Sequence, residues 1–511
     1  MEQRSLDEQE SSDNPTHLYE LFEQAANRFP KLKAFVQDEN SMNYEEGKQS
    51  IDAAALYLKE KYNVQPGDVI GLLLQNSIEY ELLVFAGLKI GAIVLPLNIR
   101  LTIKELTYII NHALPKIVIG EKEVQELMQN IEKETSQQEV HWVLHDSSFF
   151  MHVPENEMAP QKRHVNDGAF LIYTSGTTGR PKGALLHHEG VIHTVLNYEE
   201  RLQTSENTTT LIAVPMFHVT GLIGQMIHMV RVGGTSVILK RYQTERFLEV
   251  LDKKDVNFLF NVPTMYQMIL QSALGKQMEP IQKVKTIAFG GAPLDMKLYQ
   301  SVQLLFPEAD LHNTYGATET SSPTTIMPKY YPVAKQESVG QAISHTELKV
   351  VDEEGEICPN GEVGELWIKG PMVIKEYWLN EKATQVNFEN GYWKSGDFAV
   401  IDEDGYVYIK DRKKDSINRG GEKIYSIEVE KVLNQHPSVY ESAVVGIRDP
   451  LYGEVVKAYV TLHKDKSLSD VELRNYAKGF LSTFKLPEII EFRESLPKNA
   501  GGKFLKHLLR N

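Results

Sequence analysis

A chain of 511 residues exceeds what one hydrophobic core usually serves, so two or more domains are expected. With 42% hydrophobic and 24% charged residues it has an ordinary globular composition, which excludes wholesale disorder, and its net charge of −15 argues against a nucleic-acid partner, whose footprint would be a basic face. The single cysteine, Cys358, excludes an intrachain disulfide and suits the reducing cytoplasm, where the protein is expected to reside.

The first ten residues are polar and lack the apolar stretch of a signal peptide. From Leu18, the positions Leu18, Leu21, Phe22 and Ala25 recur at helical spacing and Pro30 stops the pattern. The most apolar run, Leu82 to Leu88, is far shorter than the ~20 residues that cross a bilayer, so no integral membrane segment is expected. Strand-like runs at 69–74, 116–120, 169–173, 211–214, 236–239, 258–260 and 286–289 alternate with longer helical segments. Such alternation predicts an α/β fold with two mostly parallel sheets.

Near Gln336 the texture turns to short strands between Gly, Pro and Asp turns, at 347–352, 363–369, 398–402 and 406–410, which predicts a small β-barrel or sheet. The five charges Asp411-Arg412-Lys413-Lys414-Asp415 then mark a boundary. Beyond it an α+β domain is expected, with Ser426 capping one helix, Ser469 and Glu472 forming a capping box for another, and strands at 443–447 and 458–462. The predicted organisation is a large N-terminal domain, residues 1–412, of two α/β subdomains plus the small barrel, and a smaller C-terminal domain, residues 413–511.

The densest chemistry lies at Thr174-Ser175-Gly176-Thr177-Thr178-Gly179-Arg180-Pro181-Lys182-Gly183, directly after the strand at 169–173. Glycines beside hydroxyl residues let backbone N–H groups converge on an anion, so this stretch reads as a phosphate loop. It is not a Walker A loop, because Pro181 stands five places after Gly176 and Gly183 is followed by Ala184.

Five further clusters are richer in polar chemistry than packing requires. Met216-Phe217-His218 sets a histidine among apolar residues, a pattern that also suits a core imidazole. Gly290-Gly291-Ala292-Pro293 follows a strand end, where open α/β sheets bind flat ligands, although a tight turn would look the same. Asn313-Thr314-Tyr315-Gly316-Ala317-Thr318-Glu319 combines a stacking aromatic, a small residue, hydroxyls and a carboxylate able to hold Mg2+ through oxygen. Asp397, after Ser395-Gly396 at an expected strand end, is an acceptor suited to a ribose diol. The last cluster is split: Arg412 and Arg419-Gly420-Gly421-Glu422-Lys423, then Lys503 after two glycines, placed as a mobile point charge that can reach a phosphate.

In order and spacing, the stretch from Tyr173 to Gly183, Tyr-Gly-Ala-Thr-Glu at 315–319, Ser-Gly-Asp at 395–397, Asp-Arg-Lys-Lys-Asp at 411–415 and Pro-Lys-Asn-Ala-Gly-Gly-Lys at 497–503 resemble the adenylate-forming superfamily of acyl-CoA synthetases, peptide-synthetase adenylation domains and luciferases. The resemblance spans Tyr19 to Leu509 and implies ATP, Mg2+ and CoA, a small-molecule carboxylic acid as partner, a mobile C-terminal domain, and room for a homodimer. It implies that Thr174, Ser175, Gly176, Thr177, Thr178 and Lys182 surround the outer phosphates. Gly291, Ala292, Pro293, Asn313, Thr314 and Tyr315 would flank the adenine, Gly316 and Ala317 would belong to the same nucleotide site, and Thr318 would lie by the α-phosphate. Glu319, with Thr178, would hold Mg2+. Asp397 and Arg412 would take the ribose hydroxyls, Lys423 would lie near the phosphates, Gly420 and Gly421 would bed the pantetheine arm, and Lys414 would be the hinge. Lys503 would be the adenylation lysine, with Glu319 and His218 as the other catalytic residues.

Met216, Phe217, His218, Gly290 and Gly316 are the expected acyl pocket. Gly316 stands where acetate-specific members resemble one another in carrying tryptophan, so the pocket is expected to extend past two carbons. No Arg or Lys occurs in the pocket-forming stretches to pair a second carboxylate, and no acid follows Phe217 to hold an ammonium, which counts against malonate-like and amino acids. A medium- to long-chain fatty acid is the expected substrate, with an aromatic acid the alternative and carrier-protein loading an alternative fate.

Overall fold

The computed structural model describes residues 15–136, 139–151, 158–174, 181–272, 278–292, 294, 296–498 and 504–510. Two compact units emerge. The first comprises residues up to Gln336 with Gly340–Glu347 and Lys369–Gly391; the second comprises Glu337–Val339, Leu348–Ile368 and Tyr392 onward.

The first unit holds two sheets. In the six-stranded one, strands Val69–Leu73, Ile93–Pro96, Ile117–Gly120, His141–Leu144 and Gly168–Thr174 run parallel, and Lys182–His187 is added antiparallel to Gly168–Thr174. The nine-stranded sheet has a parallel centre of Lys33–Gln37, Thr235–Ile238, Thr209–Ile212, Phe258–Asn261, Thr286–Phe289 and Asp310–Tyr315, with antiparallel strands at both edges. Central strands such as Val69–Leu73 and Phe258–Asn261 are buried along their whole length, which is why they read as unbroken apolar runs and not as alternation.

Helix Ile78–Ile90 shows the same logic for helices. Ser77 caps it by accepting from the Tyr80 N–H, and every residue but one is buried, so its apolar residues surround the axis and do not form a stripe. One continuous core joins it to strand residues of both sheets, among them Ile70 and Leu72 on one side and Ile212 and Ile238 on the other. Helix Leu18–Arg28 is amphipathic, as its spacing predicts, and ends at Phe29 before Pro30.

In the second unit, strand Tyr392–Ile401 pairs antiparallel with Gly364–Lys369 and Val407–Arg412. A further sheet joins Ile417–Arg419, Glu422–Ile424, Val439–Asp449, Gly453–Leu462 and Ile489–Phe492. Helix Asp470–Ala477 has the expected capping box of Ser469 and Glu472. Helix Ser426–Asn434 corrects one expectation: Ser426 is its first residue and not its cap, its N–H donates to Asp411, and its hydroxyl accepts from Lys506. Tertiary partners have taken both groups that a cap would have used.

Candidate functional site

Parallel sheets deliver the loops that follow their strands to one edge, and the predicted residues of the first unit collect there. Gly168–Thr174 and Lys182–His187 pair antiparallel with Thr174 opposite Lys182 and Tyr173 opposite Gly183, so the described residues on either side of the predicted phosphate loop are neighbours. In the other sheet Gly290, Gly291 and Ala292 follow strand Thr286–Phe289, and Thr318 and Glu319 follow Asp310–Tyr315 in a short 3-10 turn. Ser175, Gly176, Thr177, Thr178, Pro293 and Lys503 lie outside the described residues.

Glu319 is the junction between the two sheets. Its Oε1 accepts from the Thr174 hydroxyl and from the Tyr377 hydroxyl, both at 3.2 Å. Glu319 is 9% exposed, and its backbone carbonyl accepts from the Ile374 N–H at 2.8 Å. Tyr377 reaches it because its segment is stitched to strand Lys182–His187: Tyr377 bridges Ala184, and the Trp378 N–H donates to the Gly183 carbonyl at 2.8 Å. Lys182 is half-buried with its ammonium 4.6 Å from the centre of the Tyr377 ring. Burial pulls the Lys182 ammonium below the usual lysine range, and the Glu319 carboxylate opposes that shift. Thr174, Lys182, Glu319 and Tyr377 thus form one constellation of hydroxyls, a cation and a carboxylate, suited to a phosphorylated ligand with its counter-ion.

The predicted pocket residues are linked through side chains that the sequence did not single out. The Thr314 hydroxyl donates to the Phe289 carbonyl at 2.6 Å, and a Cβ placed on Gly290 would lie 2.9 Å from the Thr314 Oγ1 and 3.1 Å from the Phe260 ring. Phe260 packs edge-on against Tyr198, with ring centroids 5.7 Å apart, and the Tyr198 hydroxyl lies 3.3 Å from the Ser322 Oγ. Gly316 closes the set. A Cβ there would come within 3.0 Å of the Pro323 Cα and 3.2 Å of the Ser322 Cα, so backbone on that side leaves little space for a side chain.

Met216, Phe217 and His218 lie on a loop whose backbone is held from the other sheet. The Asn76 side chain accepts from the Met216 N–H at 2.9 Å and donates to the Val214 and Leu239 carbonyls, and the Tyr80 hydroxyl donates to the Met216 carbonyl at 3.1 Å. Met216 is fully buried in the shared core. His218 is partly exposed, its ring 4.7 Å from that of Phe217. Asn76, Tyr80, Tyr198, Phe260 and Tyr377 all escaped sequence reasoning, since each is an ordinary residue of an ordinary element until folding sets it beside a motif.

In the second unit, Asp397 and Arg412 face each other across neighbouring strands, with the Arg412 Nε 3.7 Å from the Asp397 Oδ1. Asp397 lies within strand Tyr392–Ile401 and not at a strand end as predicted. Gly420 and Gly421 form the turn between Ile417–Arg419 and Glu422–Ile424, where φ of +60° and +94° requires residues without a Cβ. Lys423 is ion-paired to Glu353 at 2.5 Å and covers the Phe398 ring at 4.4 Å, and Lys414 is exposed.

Comparison with known proteins gives the family. Residues 22–378 match the AMP-binding enzyme family and residues 428–503 match the AMP-binding enzyme C-terminal domain. The chain is 31% identical to 2-succinylbenzoate–CoA ligase of Bacillus licheniformis, covering 97% of this chain and 99% of that protein. It is 31% identical to feruloyl-CoA synthase of an Amycolatopsis species, covering 88% of this chain and 89% of that one. The structure of o-succinylbenzoate CoA synthetase from Bacillus subtilis with ATP and magnesium superposes with a TM-score of 0.85 at 28% identity, covering 96% of this chain and 99% of that one. The chain belongs to the AMP-binding, adenylate-forming enzymes, as an AMP-forming acid–thiol ligase of the acyl- and aryl-CoA class. Among the described residues, no helix is long and apolar enough to cross a membrane.

Proposed function

We propose that this enzyme activates an aromatic monocarboxylic acid with ATP and transfers the acyl group to CoA. The observation that carries the ATP chemistry is the constellation of Thr174, Lys182, Glu319 and Tyr377. In the first half-reaction a carboxylate oxygen attacks the α-phosphorus and pyrophosphate leaves; in the second a thiol attacks the mixed anhydride and AMP leaves. Thr174 and Lys182 hold the departing phosphates, and Thr318 lies beside the α-phosphate. Asp397 accepts from the ribose hydroxyls, with Arg412 beside it. Lys503 offsets the charge of two anions meeting. The second half-reaction needs that lysine withdrawn and the turn at Gly420 and Gly421 brought to the thiol, and Lys414 is the position about which such a rearrangement would pivot.

Glu319 and the neighbouring Thr174 hydroxyl offer oxygen donors only, which fits Mg2+, an ion usually held by one or two carboxylates plus substrate phosphates. Bound there, Mg2+ would screen the phosphate charge.

The aromatic acid is preferred to the fatty acid expected from sequence for two reasons. Relatives similar over nearly the whole chain are named for 2-succinylbenzoate and ferulate. Phe260, which adjoins Gly290, also packs edge-on against Tyr198, so aromatic side chains border the expected pocket and favour a ring over a flexible chain. A single carboxylate is proposed because the pocket-forming stretches carry no Arg or Lys to pair a second one.

Pyrophosphate release across benzoates, cinnamates, fatty acids and dicarboxylic acids, with and without CoA, tests the assignment. Benzoates or cinnamates should give the highest kcat/KM, with a thioester formed only when CoA is present. A preference for fatty acids would overturn the substrate class, and pyrophosphate release without any thioester would overturn CoA as acceptor.

A further inference from the structure

The segment that follows Lys503 is anchored at several points. Phe504 bridges Lys498 as a strand pair, and the Leu505 N–H donates to the Pro497 carbonyl at 2.9 Å. Lys498 is ion-paired to Glu441 at 2.5 Å and lies over the Phe504 ring, while Leu509 is 1% exposed in a small core with Ala443, Val445 and Tyr459. Arg510 then donates to the Lys414 carbonyl and to the Asp415 Oδ1, both at 2.7 Å.

Lys506 is the most enclosed of the charged anchors. Its ammonium lies 2.7 Å from the Glu430 Oε1 and donates to the Ser426 hydroxyl at 2.6 Å, and the Lys506 and Glu430 side chains are only 11% and 12% exposed. Asp411, 1% exposed, lies near enough to feel the same charge and accepts from the Ser426 N–H. Burying a lysine costs side-chain freedom and hydration, so an ion pair in such surroundings is weak evidence for stabilisation in itself. What it provides is a fixed point. Three residues of chain reach at most about 11 Å, so an anchored Lys506 confines where Lys503 is presented.

We propose that Lys506 is a positioning residue for the adenylation half-reaction: held by Glu430 and Ser426, it fixes the segment that carries Lys503. The inference rests on the reading of Lys503 as the adenylation lysine.

The test measures the two half-reactions separately, as acid-dependent ATP–pyrophosphate exchange and as CoA thioester formation from supplied acyl-adenylate, with thermal unfolding as a check on the fold. Lys503→Ala serves as the control and should lose exchange while largely keeping thioester formation. Lys506→Met combined with Glu430→Gln removes both charges of the pair, while Asp411 keeps its hydrogen bonds from the Ser426 and Arg412 N–H. It should lower kcat for exchange by about tenfold or more, the scale on which a displaced catalytic group loses rate, and leave thioester formation within about twofold. Ser426→Ala, which keeps the ion pair and loosens only one contact of Lys506, should show a smaller loss in the same direction, and Lys506→Arg should recover most of the exchange rate. Unchanged exchange in the double variant, or equal losses in both half-reactions, would overturn the proposal while leaving Lys503 intact in its role. Should the double variant fail to fold, Ser426→Ala and Lys506→Arg decide between the same outcomes. Should Lys503→Ala lose both half-reactions equally, the reading of Lys503 falls, and the proposal with it.

Discussion

The Tyr377 hydroxyl donates to the Glu319 Oε1 at 3.2 Å, while the face of the same ring lies 4.6 Å from the Lys182 ammonium. One side chain therefore orients both the carboxylate and the cation of the candidate phosphate site. Tyr377→Phe keeps the ring and removes the donor; loss of a hydrogen bond to a charged group costs about 1.5 kcal/mol, or roughly tenfold in kcat/KM for ATP. Tyr377→Leu removes the cation–π contact as well and should cost more. Pyrophosphate exchange at varied ATP measures both, and equal rates for wild type and Tyr377→Phe would show that Thr174 alone suffices to orient Glu319.

Gly316 tests the pocket. A Cβ at this position meets the backbone at Pro323 and Ser322 within 3.0–3.2 Å, so Gly316→Ala must displace a neighbour by a few tenths of an ångström. Overpacking of this kind costs about 1–3 kcal/mol. The expected outcome is a fall in kcat/KM for cinnamates of about fivefold or more, with acetate turnover changed less. An equal effect on all acids would place the disturbance in nucleotide binding.

Glu81 bears on pH stability. It is fully buried on helix Ile78–Ile90, and neither carboxyl oxygen has a hydrogen-bond partner among the described residues. Burial pushes its carboxyl well above the ordinary 4.5, so above that pH the folded state holds a proton that the unfolded state releases. Stability therefore falls as pH rises from about 4.5 toward the raised value. Urea unfolding of wild type and Glu81→Gln between pH 5 and 8 should show the wild-type midpoint falling relative to the variant; parallel curves would mean that the folded protein solvates the Glu81 charge.

Lys89, on the same helix, is also fully buried, ion-paired to Asp52 and hydrogen-bonded to the Tyr19 hydroxyl at 2.9 Å. Lys89→Met takes from buried Asp52 the cation it pairs with, and should cost about 3–5 kcal/mol in chemical unfolding. Adding Asp52→Asn should restore most of that loss. A double variant no more stable than the single one would locate the cost in packing and not in charge.

Local patterns carried far. Helix Leu18–Arg28, the Ser469–Glu472 capping box and the buried parallel strands follow from apolar spacing and cap chemistry within a few residues, and each stands where the sequence put it. Ser426 and Asp397 did not follow, because their surroundings come from distant chain: Ser426 answers to Asp411 and Lys506, and Asp397 sits inside a long strand paired to Val407–Arg412.

By itself the sequence determined which chemical groups are present and in what order, since glycines, hydroxyls, carboxylates and lysines in motif spacing are properties of neighbouring residues. Only the tertiary structure decided which of them meet. Thr174 and Glu319 are 145 residues apart and Tyr377 is a further 58 beyond Glu319, yet all three converge on one oxygen. The physical reason is that burying the apolar faces of two parallel sheets against shared helices fixes where their strands end, and no local propensity encodes that convergence.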